Sequence, residues 1–216
     1  STAIVSYYYV KKIKLITVPY QSYKDSFNIG LKTVRLGIMM AISGIAVLLI
    51  QFATKTYIVR SGGVGDVGLY QAGWALNANY LGLIFTAMAK DYFPRLSQGI
   101  DKTEATNIKI NNQSEIAILI LAPLIIVMLV FMHYLIKILY SDEFLEIIPM
   151  TKWLLIGSLI KAGSWRLSFV FLAKGDGKMF LFNELGIGLV TLPCYLLGYH
   201  YFGLVGIGYA FSLTYV

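Results

Sequence analysis

The chain has 216 residues, of which 57% are hydrophobic and only 13% are charged. A soluble domain has about 45–50% apolar and about 25% charged residues, so this composition excludes a soluble globular domain and indicates an integral membrane protein. The net charge of +7 is typical of basic loops in a membrane protein, and we expect no nucleic-acid partner. Cys194 is the one cysteine, which excludes an intrachain disulfide.

Apolar segments follow one another along the chain, and we predict an all-α, polytopic helical bundle of about six spans, since about 20 apolar residues cross a bilayer. The predicted spans are residues 36–58, 67–89, 115–139, 153–173, 179–199 and 203–216, the last of them truncated. Before this bundle (36–216), residues 1–10 are predicted to end an earlier span and residues 11–35 to form a basic linker. Both ends lie in apolar runs, so we expect a piece of a longer protein.

Lysine and arginine residues collect in alternate loops, and this asymmetry predicts the orientation of the chain. The loops Lys11–Arg35, Lys90–Glu115 and Lys174–Lys178 together hold twelve cations, whereas the loops of the other side hold four. We therefore expect the first three loops to lie in the cytoplasm and the protein to be a multi-pass protein of the plasma membrane.

Two cations, Lys161 and Arg166, lie inside the predicted span 153–173. A charge near the centre of a bilayer costs at least about 2.5 kcal/mol, so such a side chain usually faces a water-filled cavity or a partner charge. We predict that the two form a cationic patch for a phosphate or another acidic group. The alternative is that their long side chains reach the headgroups.

Two neighbours of these cations are candidates for the same site. Trp165 lies one turn from Lys161, where an aromatic ring suits sugar stacking, although anchoring at the membrane interface explains it as well. Glu184 in the next span is predicted to pair with Arg166 or Lys161, and the alternative is that it carries a proton.

Polar side chains also repeat every three residues in the span 67–89, at Gln71, Trp74 and Asn77. Amide side chains suit the binding of a carbohydrate, and Gln71 and Asn77 are therefore candidate substrate contacts. Hydrogen bonds between helices explain the amides equally well, and the same alternatives apply to Gln51.

No pattern in the chain indicates a cofactor, a metal site or catalysis. Gly63–Gly68 reads GVGDVG and fits G-x-G-x-x-G, but a membrane span precedes it instead of a strand, so we reject a dinucleotide site. His133 and His200 are isolated, without H-E-x-x-H spacing or a carboxylate companion, so we do not expect a metal site. Asp142 and Glu143 are adjacent in a short loop and are predicted to be solvated, so we do not expect an enzyme.

Two stretches resemble the O-antigen and polysaccharide flippases of the multidrug/oligosaccharidyl-lipid/polysaccharide exporter superfamily. They are VGLYQAGWALNANYLGLIFTAMAKDYFPRLS, from Val67 to Ser97, and KAGSWRLSFVFLAKGDGKMFLFNE, from Lys161 to Glu184. Together they cover about a quarter of the chain, in the order and on the spans where the family has them.

This resemblance implies most of the second lobe of a two-lobed, all-helical exporter. It implies transfer of an undecaprenyl-pyrophosphate-linked oligosaccharide across the bacterial plasma membrane by alternating access, for surface polysaccharide or O-antigen synthesis. It also implies a cationic cavity, where Lys161 and Arg166 would lie. The expected partners are the lipid-linked oligosaccharide, membrane lipid and other polysaccharide assembly proteins.

Two other functions stay open. A drug or metabolite antiporter of the same superfamily would prefer acidic cavity residues for a cationic substrate. A membrane glycan polymerase or ligase would usually need a large outer loop, whereas the outer loops predicted here are short.

Overall fold

The computed structural model describes residues 23–97 and 103–216, and the predicted span end at 1–10 and the first part of the basic linker lie outside this range. Inside the helices, some side chains also lie outside the described part of the chain. They are those of residues 24, 25, 28, 32, 93–97, 103–114, 165–167 and 169.

The described chain consists of five long helices and one short 3-10 helix, without a strand. The long helices are α1 (Tyr23–Gly62), α2 (Val64–Ser97), α3 (Thr103–Leu139), α4 (Ile148–Ala173) and α5 (Gly177–Thr214), and the 3-10 helix is Asp142–Ile147. Among the described residues, three helical segments are long and apolar enough to cross a membrane, namely Ile29–Gly62, Glu115–Leu139 and Gly177–Thr214. The predicted all-α, polytopic membrane fold is thereby confirmed.

The helices continue past the predicted spans. Residues 23–35 of the basic linker form the first turns of α1, and α2 and α3 both extend into the loop predicted at 90–115. Polar side chains make a segment leave the lipid, but they do not break the backbone hydrogen bonds of a helix. The change from α1 to α2 occurs instead at Gly63, within the GVGDVG stretch, where φ is +93°.

Helix α3 shows why the bundle needs a lipid environment. One face is buried and is made of Ala117, Leu121, Ile125, Met128, Met132 and Ile136, which recur every three or four residues. The other face is equally apolar but exposed, with exposed fractions of 72% at Leu119 and 82% at Ile138. A helix that is apolar on all sides is stable where its outer face meets lipid.

Helices α4 and α5 form a tight antiparallel hairpin, and this pair has the most extensive helix contact in the described chain. The turn is closed by two backbone hydrogen bonds, from the amide of Asp176 to the carbonyl of Phe171 and from that of Gly175 to Leu172, both 3.0 Å. Gly175 has a φ of +70°, which a residue without a Cβ adopts readily at a helix end. The Asp176 carboxylate then accepts a hydrogen bond from the Met179 amide and caps α5.

Helix α5 reverses its direction at Gly203, where φ is +59° and the backbone is not helical. In a continuous helix Gly198 and Gly206 would lie about 12 Å apart. Here their backbones are in contact, so residues 177–202 form a first arm and residues 204–214 a second arm that returns beside it. The second arm also packs against the start of α4, where a Cβ built on Gly208 would lie 2.8 Å from the Met150 carbonyl oxygen.

Candidate functional site

A cavity of about 360 Å³ lies between α4 and α5, with Met40 of α1 also in its wall, and we call it the Lys161 cavity. Its wall is mostly apolar and includes five polar side chains. Helix α4 contributes Lys161, Ser164 and Ser168, which share one helix face because they are three and four residues apart. Helix α5 contributes Asn183 and Glu184. The short α4–α5 turn sets the register of the hairpin, and this register brings the two polar faces together.

Hydrogen bonds connect the two helices across this cavity. The Ser168 hydroxyl donates to Oε1 of Glu184 over 3.1 Å, and the Asn183 amide donates to the Ser168 hydroxyl oxygen over 3.2 Å. The Ser164 hydroxyl is bonded within its own helix, to the Lys161 carbonyl oxygen at 3.2 Å. Ser168 thus bridges two polar side chains of α5.

Lys161 is half-buried, and its ammonium group lies 5.2 Å from the ring centroid of Tyr215. A cation over an aromatic ring is stabilised by about 0.5–2 kcal/mol. No ion pair joins Lys161 to Glu184 among the described contacts, although both line the same cavity. The cavity wall therefore includes the Lys161 ammonium group, which contacts the Tyr215 ring, and the Glu184 carboxyl group, which is hydrogen-bonded to Ser168.

A second cavity of about 530 Å³ adjoins the first, and we call it the aromatic cavity. The two share Lys161, Glu184, Ile187 and Tyr215. The walls of the aromatic cavity also include Gln51, Trp74, Tyr195 and Phe211.

Trp74 is the central ring of this wall. Its centroid lies 5.6 Å from that of Phe211 and 6.4 Å from that of Tyr195, both edge to face, and it stacks on Tyr70 at 6.0 Å. Aromatic pairs of this geometry are stabilising beyond their buried area. The four rings therefore form a packed aromatic cluster next to Lys161 and Glu184. A cation, hydroxyl groups, amides and ring faces in one space suit a ligand that joins an acidic group to sugars.

The structure brings together some of the predicted site residues. Lys161 and Glu184 line both cavities, whereas Gln71 is exposed on α2 and is not among the residues that line either one. The side chains of Trp165 and Arg166 lie outside the described residues. The predicted roles of these residues in substrate binding stay predictions.

Asn77 is 8% exposed and has a structural partner on another helix. The Ser158 hydroxyl donates to Oδ1 of Asn77 over 2.9 Å, which joins α2 to α4. This is the interhelical hydrogen bond that was the alternative to a sugar contact at this position.

The bond between Asn77 and Ser158 is expected to contribute to stability. Variants Asn77→Leu and Ser158→Ala should each lower the thermal midpoint of the purified protein, since a buried partner is left unsatisfied. Their coupling energy in a double-mutant cycle should be about 0.6 kcal/mol, the average for such bonds in membrane helices. A coupling energy near zero would contradict the structural role. An Asn77→Leu variant of normal stability that had lost transport would instead favour the interpretation of Asn77 as a sugar contact.

Two features of the site were not predicted. Ser164 and Ser168 follow Lys161 at intervals of three and four residues, and this polar stripe in KAGSWRLS was the available signal. Tyr215 reaches Lys161 because α5 reverses at Gly203, and no local pattern around Tyr215 indicates this.

The fold and these cavities define an all-helical, polytopic membrane protein with a charged cavity between two of its helices. A family model described as polysaccharide biosynthesis protein matches residues 2–149. This match covers more than half of the chain, so the chain belongs to the polysaccharide biosynthesis protein family and acts in polysaccharide biosynthesis. The predicted resemblance to polysaccharide flippases is thereby confirmed at the level of the family. No curated protein and no solved structure matches the chain.

The matched region and the cavities overlap only in part. Residues 2–149 include α1, α2 and α3, and therefore Gln51 and Trp74 of the aromatic cavity. Lys161 and Glu184 lie beyond the matched region. The family match thus supports the class of protein. The assignment of Lys161 and Glu184 to a site comes from the structure alone, because the match does not include them.

Proposed function

We propose that this chain is part of a flippase that moves an undecaprenyl-pyrophosphate-linked oligosaccharide from the inner to the outer leaflet of the bacterial plasma membrane. The polysaccharide biosynthesis family supports this proposal at the level of the process. In such a reaction no covalent bond is broken, so the protein would be a transporter and not an enzyme.

The observation that carries the proposal is the position of Lys161. It lies in the wall of a cavity between two apolar helices, and among the described contacts it forms no ion pair with a carboxylate. A pyrophosphate that enters this cavity would replace water around the ammonium group. The resulting charge-assisted hydrogen bonds would be strong because the surroundings are poorly polarisable.

The sugars would occupy the aromatic cavity next to Lys161. Trp74 and Tyr215 contribute aromatic rings to its wall, and Gln51 contributes an amide. Sugar rings have apolar faces that pack on aromatic rings and hydroxyl groups that bond to amides. Arg166 and Trp165 are predicted to extend the same site, and the lipid tail would stay in the bilayer.

Transport would follow an alternating-access cycle. The two lobes would rock around the bound headgroup and expose it first to one side of the membrane and then to the other. Three loops would face the cytoplasm because they hold most of the loop cations. They are Lys11–Arg35, Lys90–Glu115 and Lys174–Lys178. Other polysaccharide assembly proteins would deliver and remove the substrate.

A second candidate is an antiporter for a cationic drug or metabolite, and Glu184 is the observation that favours it. This carboxylate lines both cavities and would attract a cation once the Ser168 hydrogen bond opened. The family match to polysaccharide biosynthesis favours the flippase.

An assay with the purified full-length protein in liposomes separates these functions. Lipid-linked oligosaccharide with a labelled sugar is placed in the inner leaflet, and exposure of the label to an external sugar-binding protein is followed over time. The flippase predicts exposure of the label without a change in glycan length. Elongation of the glycan would instead indicate a polymerase or ligase, and uptake of an organic cation without movement of the glycan would indicate the antiporter.

A further inference from the structure

A basic groove lies at the C-terminal end of α4, beside the α4–α5 turn. The groove has a volume of about 540 Å³ and is lined by α1 on one side and by Lys174–Lys178 on the other. The α1 residues are Thr33, Arg35, Leu36 and Met39. It is separate from the Lys161 position, which lies about 20 Å away along α4.

The groove carries an excess of positive charge. Arg35, Lys174 and Lys178 are exposed and face it, against one carboxylate, that of Asp176. Asp176 already accepts the Met179 amide hydrogen, so it is engaged as the cap of α5. In the described part of the chain, none of the three cations forms an ion pair. The charges that line the groove are therefore suited to bind an anion.

The position of the groove along the bundle indicates where this anion comes from. Arg35 directly precedes the apolar segment of α1, and Lys174 and Lys178 lie between two apolar helices. These positions correspond to the level of the lipid headgroups, where the hydrocarbon core ends. A basic pocket between membrane helices at this level is suited to acidic headgroups.

The floor of the groove is apolar, and this favours a lipid over a small free anion. Leu36 and Met39 line it, and they pack so closely on α5 that a Cβ built on Gly177 would lie 2.6 Å from the sulfur of Met39 and 3.0 Å from Leu36. Below the groove, apolar side chains of both helices are exposed, such as Ile38 at 55% and Phe182 at 72%. An acyl chain can lie along them while its headgroup contacts the cations.

We propose that this groove binds the phosphate headgroup of an anionic phospholipid and so fixes α1 against the α4–α5 turn. The lipid would join two parts of the chain that are distant in sequence. This proposal does not depend on the transported substrate, since it concerns a different set of residues.

Native mass spectrometry of the purified full-length protein tests the proposal with two probes, phosphatidylglycerol and phosphatidylcholine. The wild-type protein should retain phosphatidylglycerol in preference to phosphatidylcholine. The triple variant R35Q/K174Q/K178Q should bind phosphatidylglycerol roughly 100-fold more weakly, because each cation near the surface contributes roughly a factor of five. The triple variant K55Q/R60Q/K152Q removes the same charge at the other ends of α1 and α4, and it should keep its affinity within about twofold.

Further measurements decide the outcome if the first triple variant does not fold. Phosphatidylglycerol binding to the wild-type protein should weaken as salt is raised, since exposed charges are screened. Equal retention of both lipids, equal losses in the two triple variants, or full displacement of phosphatidylglycerol by millimolar inorganic phosphate would each overturn the assignment.

Discussion

A Gly206→Val variant is expected to lose at least about 6 °C in the thermal midpoint of the purified protein. A Cβ at Gly206 would overlap the carbonyl group of Gly198 in the facing arm of α5. Backbone atoms cannot rotate away as a side chain does, so the two arms must separate. Such overpacking costs about 3 kcal/mol or more, which is a large part of the stability of a protein.

Gly186→Val provides the matched control for this prediction. Gly186 lies in the first arm of α5, is exposed, and has no atom within 4 Å of a built Cβ. The same change of residue should therefore leave the midpoint within about 2 °C. The measurement is fluorescence-detected size exclusion after heating in detergent. Equal midpoints for the two variants would show that the arms of α5 do not meet at Gly198 and Gly206.

The reversal of α5 also explains which parts of the fold the sequence could predict. Apolar segments long enough to cross a bilayer are a property of composition, and each predicted span from 36–58 to 179–199 lies within one of the described helices. The ends of these helices were less predictable. Residues 23–35 are basic and polar, yet they contain no proline and Gly30 keeps a helical backbone, so α1 begins well before its apolar part.

The site was predictable only where a residue contrasts with its surroundings. Lys161 and Glu184 are charged residues in apolar segments, and the sequence alone marks them as unusual. Ser168 is not unusual, since a serine in a membrane helix often bonds to its own backbone, as Ser164 does here. Its role depends on Asn183 and Glu184, which the α4–α5 turn places opposite it.

The contact of Tyr215 with Lys161 depends on long-range packing. The second arm of α5 runs along α4, with Gly208 at Met150, the Ser212 hydroxyl bonded to the Trp153 carbonyl oxygen at 2.8 Å, and Tyr215 over Lys161. Each of these contacts fixes the next one along the helix pair. The position of the ring follows from this packing and from the turn at Gly203, and no single residue indicates it.

Lys161→Ala is expected to reduce surface polysaccharide at least tenfold in cells that depend on the altered copy. A hydrogen bond to a charged group contributes about 1.5–3 kcal/mol, which corresponds to about a 10- to 100-fold change in binding. Lys161→Arg keeps the cation and should retain part of the activity, whereas K161A/R166A tests the whole predicted patch. The measurement is surface polymer per amount of protein in the membrane.

Lys152→Ala is the matched control, because Lys152 lies on the same helix and is exposed. It removes the same charge from α4 without touching either cavity, so surface polymer should stay near the wild-type level. A normal amount of surface polymer from K161A/R166A at a normal protein level would reject the cationic site, since transport would then not need either cation. Equal losses in Lys152→Ala and Lys161→Ala would assign the effect to the overall charge of α4. A selective loss in Lys161→Ala, with partial recovery in Lys161→Arg, would support a cationic binding site at the cavity itself.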